Sequence, residues 1–365
     1  LSDNDLDPTA VVPLCSGLGD LESAMPPVAL FDVARAALRH SDLAAALEAD
    51  GAEAVLPRLP AWPAFVRVLD RFLEVYGYRG QGEVDPTNAD WSEEPLFVLS
   101  QVRSMLPLGD EDAPKAQVRQ ATARRRAFEK TVRRKLPTLR RPLFDSLTDQ
   151  AQHFTRLREL SKATWVMGMR RARTPYLAMA RGLARRGAIA QYDDLRFLVQ
   201  SEVKSLCAGR AFAEAANVVD ERRRTFLRAQ RYDVPDHWVG VPKARRRPPP
   251  KPSEVLSGLG VSAGSGPVTG MVRIVPSAEA GFARDVARGE ILVAPFTDAP
   301  WTPLFIPAGA VIVETGGVLS HAATVAREFA VPCVVMVKDA TRLLHDGDTV
   351  TVDGRTGSVT VVGRG

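Results

Sequence analysis

From about Leu30 to Arg231 the apolar residues recur every three to four positions, as in Phe31-Val33-Ala34-Leu38, Phe65-Val68-Leu69-Phe72-Leu73 and Phe197-Leu198 with Val203-Leu206. This is the period of helices that turn one face to a core, so the pattern predicts a mainly helical region. Breaks are expected at the proline cluster Leu56 to Pro63, at Gly77 to Pro86, at Gly109 to Pro114 and at Gly187. Further along, the pattern shifts to short runs rich in β-branched residues: Val268 to Val275, Ile291 to Ala294, Ala310 to Val313, Cys333 to Val337, Thr349 to Val352 and Ser358 to Val362. Asp346-Gly347 and Asp353-Gly354 mark turns, the second joining the last two runs as a hairpin. Between the two regions lies a stretch rich in proline and basic residues that ends Arg245-Arg-Arg-Pro-Pro-Pro-Lys-Pro252, a sequence that cannot continue a helix and favours an extended spacer. The predicted layout is multidomain: a mainly α-helical domain over residues 1–235, a linker over 236–254 and a compact α/β domain over 255–365.

Composition narrows the class. The chain has 365 residues, 45% of them hydrophobic, which is ample for buried cores. No apolar run approaches the roughly 18 to 20 residues of a membrane span, and the acidic start Leu1 to Pro8 does not read as an export signal. Cys15, Cys207 and Cys333 are widely separated, with no C-x-x-C pair, so they read as packing residues in a reducing cytoplasm. A first residue that is leucine is read as a segment of a longer polypeptide. The net charge of +5 concentrates between Lys115 and Arg186 and at Arg245 to Arg247. The basic stretch Arg119 to Arg141 is interleaved with glutamate and apolar residues and contains no nucleic-acid motif, so a solvated helix face is expected and no nucleic-acid partner. Gly258 to Gly266 contains no phosphate-loop pattern, follows no clear strand and is read as a loop leading into the α/β domain.

The chemistry concentrates in Ala310-Val-Ile-Val-Glu-Thr-Gly-Gly-Val-Leu-Ser-His-Ala-Ala-Thr-Val-Ala-Arg-Glu328, which reads as buried strand, glycine turn and helix, with His321 at the helix start. A phosphoryl group there would meet unpaired backbone N–H groups and the positive end of the helix dipole. Gly316 and Gly317 would let the backbone approach it, and Ser320 could cap the helix or donate its hydroxyl. A neutral imidazole is nucleophilic near pH 7, and its phosphoramidate passes the group onward. The plain alternative is a helix-start histidine making a capping contact.

The stretch resembles the mobile phosphohistidine domain of the phosphoenolpyruvate-utilising enzymes, whose core G-G-x-x-S/T/C-H-x-A-x-x-A-R-E is met here by Gly316, Gly317, Ser320, His321, Ala323, Ala326, Arg327 and Glu328, followed by Val331-Pro332-Cys333-Val334-Val335. The ending Asp346-Gly-Asp-Thr-Val-Thr-Val-Asp-Gly354 is similar as well. Within that family, the absence of some 200 further residues for a pyruvate-binding barrel and the presence of Leu319 before Ser320 point to the rifamycin phosphotransferase branch. Phe72-Leu-Glu-Val-Tyr-Gly-Tyr-Arg-Gly-Gln-Gly-Glu-Val-Asp85 with Trp91-Ser-Glu-Glu-Pro95 is similar to its F-L-x-x-Y-G-H-R-G-x-x-E-x-D…W-x-E-x-P signature, with Tyr78 in place of the histidine, and Leu157-Arg-Glu-Leu-Ser-Lys162 resembles its L-R-E-x-x-K helix.

The resemblance implies a swivelling α/β domain whose His321 carries phosphate, with Gly316, Gly317, Ser320 and Arg327 binding it. It also implies a helical domain that holds a small-molecule acceptor, a rifamycin-like antibiotic first among them. ATP and magnesium would be bound by an ATP-grasp domain, in cis or as a separate chain, since no such region is read in these residues; no cofactor, metal or membrane is expected for this chain itself. Arg158 and Lys162, four apart on one helix face, would neutralise the transferring group, or else form a solvated charged face. Arg79, Glu83 and Asp85 would order a loop around the acceptor or make a structural ion pair, and Tyr78 stands beside them. Trp165, Met167, Met169 and Tyr176 suit a large apolar acceptor and equally a helical core. Two other functions remain open: a condensing enzyme that activates its substrate through the same phosphohistidine, and a phosphocarrier or binding module without chemistry of its own.

Overall fold

The computed structural model describes all residues except 1–11, 86, 111–112, 211–214, 230–231, 234–237, 244, 247–248, 251–252, 262–265 and 278–285. The helices run α1 Met25–Ala37, α2 Ser41–Ala49, α3 Gly51–Val55, α4 Pro63–Tyr76, α5 Pro95–Met105, α6 Pro114–Lys135, α7 Arg141–Arg185, α8 Gln200–Cys207 and α9 Ala215–Ala229. Five of them, α1, α4, α5, α6 and α7, have proline in their first two positions, where the missing N–H is one the helix could not have used. The prolines expected to break helices at Pro63 and Pro114 therefore start them. In α4, Phe65, Leu69 and Phe72 face inward. Gly187 follows α7 with φ +69°, and the amides of Gly187 and Ala188 return to the Ala184 and Leu183 carbonyls, closing the helix end.

By contact the chain divides into two compact units. The second gathers Val84–Asn88 with Met167–Lys251. Its core is Ala180, Leu183, Ile189, Leu195 and Leu206, and Arg222 and Arg223 clamp Glu202 and Asp194 across it. β2 (Arg245–Arg246), within the stretch read as an extended linker, pairs antiparallel with β1 (Tyr232–Asp233), which lies just before it. Several positions of that linker, including Arg247, Pro248, Lys251 and Pro252, lie outside the described residues.

The first unit gathers residues 1–83, 89–166 and 252–365. Its α/β portion contains β3 Val255–Ser257, β4 Leu259–Gly260, β5 Val268–Ile274, β6 Ile291–Ala294, α10 Thr302–Phe305, β7 Ala310–Val313, α11 His321–Glu328, β8 Cys333–Val335, α12 Ala340–Leu343, β9 Thr349–Asp353 and β10 Ser358–Gly363. All six runs read as strands from sequence are strands. The sheet order is β3-β10-β9-β5-β6-β7-β8-β4, with β5 to β8 mutually parallel and the remaining pairs antiparallel. β6 and β7 are buried on both faces, as central parallel strands are. The two end strands, β3 and β4, are successive stretches of one backbone, so the sheet closes on itself. Gly258 sits at the bend, where a Cβ would run into the Val335 carbonyl. The stretch Gly258 to Gly266, expected as a simple loop, thus contributes the strand β4; its residues 262–265 lie outside the described residues.

A single hydrophobic core in this unit joins Leu30, Phe31, Phe65, Leu99 and Met105 of the helices to Trp301, Phe305, Ala322, Val325 and Phe329 of the α/β portion. A second core fills the other side of the sheet with Ile291, Val293, Ile312, Val350 and Val359. The helical region followed by a mixed α/β sheet matches the predicted fold class in outline. No helix among the described residues is long and apolar enough to cross a membrane.

Candidate functional site

Because β6 and β7 are parallel neighbours, the loops at their carboxyl ends emerge on the same edge of the sheet, where such folds place their ligands. The loop after β7 carries Gly316, Gly317, Ser320 and His321. The loop after β6 carries Asp298, Trp301 and Thr302. Ser320 is the N-cap of α11: its backbone is extended, and its hydroxyl oxygen accepts from the Ala323 N–H at 3.4 Å. Gly316 has φ +132°, and a Cβ there would lie 2.9 Å from the Ser320 Oγ, so glycine is required both for its conformation and for its space. Gly317 faces open space.

The His321 ring is partly buried. Its Nε2 lies 3.2 Å from the Thr302 hydroxyl, which also donates to the Ala299 carbonyl at 2.9 Å. The Phe305 ring meets it edge-on at 6.5 Å between centroids. Burial, and then the positive charges of Lys162, Arg79 and Arg158, hold the imidazole pKa well below its ordinary 6.5. The ring is therefore neutral, and a nucleophile, throughout the physiological range.

The cations come from two elements. Arg158 on α7 reaches the Leu319 carbonyl, one residue before the helix cap, and its other nitrogen meets Glu159. One turn later Lys162 pairs with Glu83 at 3.2 Å. Glu83 also accepts from Arg79 at 3.2 and 3.3 Å. Arg79 is 1% exposed, lies over the Tyr78 ring at 4.9 Å and reaches the Glu22 carbonyl at 3.4 Å. The Arg79–Glu83 loop is tied to the sheet edge by the Gly82 N–H, which donates to the Asp298 carboxylate at 2.8 Å. Local pairing explains the signature around it. The Trp91 and Ser92 amides donate to the Arg79 and Gly77 carbonyls, and Trp91 stacks on Phe72 at 6.0 Å.

The structure thus gathers His321, Gly316, Gly317, Ser320, Arg158, Lys162 and Arg79 at one place. Arg327 points elsewhere: it is 4% exposed, donates to the Val318 carbonyl at 2.6 Å and shapes the glycine turn from beneath. Tyr78 is buried under Arg79, and burial pushes its phenol pKa up. Trp165 is 53% exposed on α7, whereas Met169 is half-buried and falls in the second unit. Asp85, also in the second unit, caps Thr87. Sequence reasoning did not single out Thr302, Phe305 or Asp298. The signal was present in Phe296-Thr-Asp-Ala-Pro-Trp-Thr-Pro303, a polar and aromatic run at the carboxyl end of a predicted parallel strand. On the basic helix α6, Arg125 pairs with Glu129, and Arg133 with Asp145 on α7. Among the described residues no group of three or more His, Cys, Asp or Glu gathers to hold a metal.

Comparison with known proteins matches two separate stretches of the chain. Residues 1–159 match the family described as rifampicin phosphotransferase fourth domain, and residues 286–357 match the PEP-utilising enzyme mobile domain. The chain is 30% identical over 364 residues to rifampicin phosphotransferase of Streptomyces sviceus, covering 95% of this chain and 40% of that protein. It is 30% identical over 326 residues to the uncharacterized phosphotransferase YvkC of Bacillus subtilis, covering 82% of this chain and 37% of that one. It is 29% identical over 314 residues to the prodigiosin synthesizing transferase PigC of Serratia marcescens, covering 84% of this chain and 35% of that one. The chain therefore spans 35 to 40% of the length of these relatives.

Proposed function

We propose that the chain is a member of the phosphoenolpyruvate-utilising enzyme family and forms the acceptor-side and phosphate-carrying part of an ATP-dependent, dikinase-type phosphotransferase, with His321 as the carrier. The observation that carries this reading is a neutral imidazole at a helix N-terminus, faced by Arg79, Arg158 and Lys162. A nucleophile held unprotonated beside three cations suits a group that arrives carrying about two negative charges and must leave again.

In the proposed cycle the β-phosphoryl of ATP passes to His321, the γ-phosphoryl is released to water as phosphate, and AMP departs. ATP and magnesium belong to an ATP-grasp domain, in cis or on a separate chain, and that donor site supplies the charge neutralisation of the first transfer. The second transfer breaks the P–N bond of the phosphoimidazole and forms a P–O bond to an acceptor hydroxyl, whose proton is lost as the ring nitrogen recovers its lone pair. Gly316, Gly317 and Ser320 cradle the phosphoryl oxygens, and Arg327 supports that turn. Arg158 and Lys162 meet the charge as it develops. The acceptor is a small molecule, a rifamycin-like antibiotic first among candidates, with Tyr78, Arg79, Trp165 and Met169 as its proposed contacts. In this proposal residues 1–235 are the helical acceptor domain, 236–254 the linker, and 255–365 a swivelling phosphohistidine domain that travels between the donor and the acceptor. A cytoplasmic location is part of this proposal and rests on the wide separation of the three cysteines in the sequence.

The test is phosphopeptide mapping with magnesium and ATP labelled separately at the β and γ positions, in the presence of an ATP-grasp domain. Acid-labile β-label on the His321 peptide, absent in His321→Ala, is the expected result; label elsewhere or none sinks the relay. Removing Arg158 or Lys162 should slow transfer to the acceptor by about 10² to 10³. The similarity to PigC favours one alternative, a condensing enzyme activating its substrate through the same phosphohistidine. In that case label reaches His321 but ends as free phosphate beside a condensed product.

A further inference from the structure

Glu83 sits buried between two cations. Its side chain is 3% exposed, and its oxygens lie 3.2 Å from both Arg79 Nη1 and Lys162 Nζ. The two partners differ in their freedom. Arg79 is locked, its side chain 2% exposed and held by the Glu22 carbonyl and the Tyr78 ring. Lys162 has a side chain 41% exposed, and Glu83 is its ion-pair partner among the described residues. A lysine with that exposure ordinarily extends into solvent, where its ammonium is best hydrated. Glu83 keeps it turned inward, with the Arg79 guanidinium on the other side of the carboxylate. Asp298 completes the arrangement by holding the Gly82 amide, so the loop bearing Glu83 is fixed to the strand edge that carries Thr302 and His321.

We infer that Glu83 is a positioning residue for phosphoryl transfer: it aims the Lys162 ammonium at His321 and holds it there. The groups facing this arrangement are Arg79, Arg158 and Glu159 beside Lys162, with Asp298 at the loop. Loss of the Glu83 charge leaves Lys162 next to an uncompensated Arg79, and the mobile partner of the two swings out. Glu83 does not itself act on the imidazole, whose lowered pKa is traced to burial and to Lys162, Arg79 and Arg158. The consequence has a definite sign. With Lys162 gone from its vicinity, the imidazole accepts a proton more readily and its pKa rises.

The positioning of Lys162 by Glu83 rests on the two ion pairs of Glu83, while its catalytic consequence rests on the reading of His321 as a phosphate carrier; the two are read separately. The first experiment follows the His321 ring resonances against pH in the whole chain, in wild type, Glu83→Gln, Lys162→Met and the double variant. Glu83→Gln should raise the His321 pKa in the same direction as Lys162→Met, and in the double variant the effect of Glu83→Gln should vanish. An unmoved titration in Glu83→Gln overturns the inference, and so does a shift that persists undiminished without Lys162. The exposed Lys162 serves as the second route should the buried Glu83→Gln fold poorly. The second experiment loads His321 with phosphoramidate, which phosphorylates imidazoles without ATP, and follows discharge to a rifamycin. Glu83→Gln should slow discharge about tenfold at saturating acceptor with little change in KM; an altered KM at an unchanged rate overturns the catalytic half. No loading of wild type, with the titration behaving as expected, removes the carrier reading and leaves the positioning of Lys162 intact.

Discussion

Thr302 shows how much one hydroxyl can be asked to do. It lies 3.2 Å from His321 Nε2 and fixes the plane of the ring. Thr302→Val keeps the shape and removes that bond, so loading of His321 by phosphoramidate should slow by roughly tenfold, about the worth of one neutral hydrogen bond. An unchanged rate would show that packing against Phe305 is enough. The pKa of His321 itself can be tested directly: because burial and three cations hold it down, the ring should remain neutral at pH 6.5, and a titration at or above that value would refute the electrostatic account. The sign for stability follows. The unfolded chain takes up a proton near pH 6.5 that the folded chain refuses, so this group's contribution is present above that pH and is lost as pH falls below it. His321, Ser320 and the two glycines were legible because they are consecutive in the chain. Arg158 and Lys162 were legible because a helix brings i and i+4 together. Thr302 was not, since its distance to His321 is set by the pairing of β6 with β7, and the bridging role of Glu83 needs a loop and a helix 79 residues apart to meet.

At the scale of elements, central strands such as Ala310–Val313 were plain in the pattern, whereas the prolines marked interruptions without showing that Pro63 and Pro114 are the first residues of new helices. The closing stretch 255–260 was not. Its strands are two and three residues long, flank a glycine and obtain their hydrogen bonds from β8 and β10, which lie far along the chain. A substitution there tests the closure. Gly258→Ala places a methyl group against the Val335 carbonyl, in backbone that cannot yield, and should cost about 1 to 3 kcal/mol of stability in a denaturant titration. A cost near zero would mean that the seam is loose. The small ladder of β1 with β2 has a similar origin: short polar strands within a basic, proline-rich stretch give no alternation to read.

Across the whole first unit, the α/β portion is fastened to the helices by identifiable bonds. Glu328, fully buried at the end of α11, accepts from the Leu18 and Gly19 amides at 3.0 and 2.9 Å, and burial raises its pKa. Gln117 donates to the Ile306 carbonyl at 3.4 Å, and Gly82 to Asp298. Glu328→Ala would orphan two amides, at about 1 to 3 kcal/mol each if they stay dry, and should hasten hydrogen exchange at Leu18 and Gly19 ahead of the sheet. Uniform exchange in that variant would mean that the shared apolar core, not Glu328, does the fastening. Composition along the chain marks where its character changes, but it is silent on which segments share a core, because packing partners are chosen by shape. The closed sheet adds one more consequence. A domain that leaves its partner and crosses solvent exposes whatever it was resting on, and a sheet with a free flank would then offer unpaired amides and carbonyls to any neighbouring chain. With the 255–260 stretch bonded to β10 through β3 and to β8 through β4, the outer flanks of β10 and β8 are covered and offer no such template.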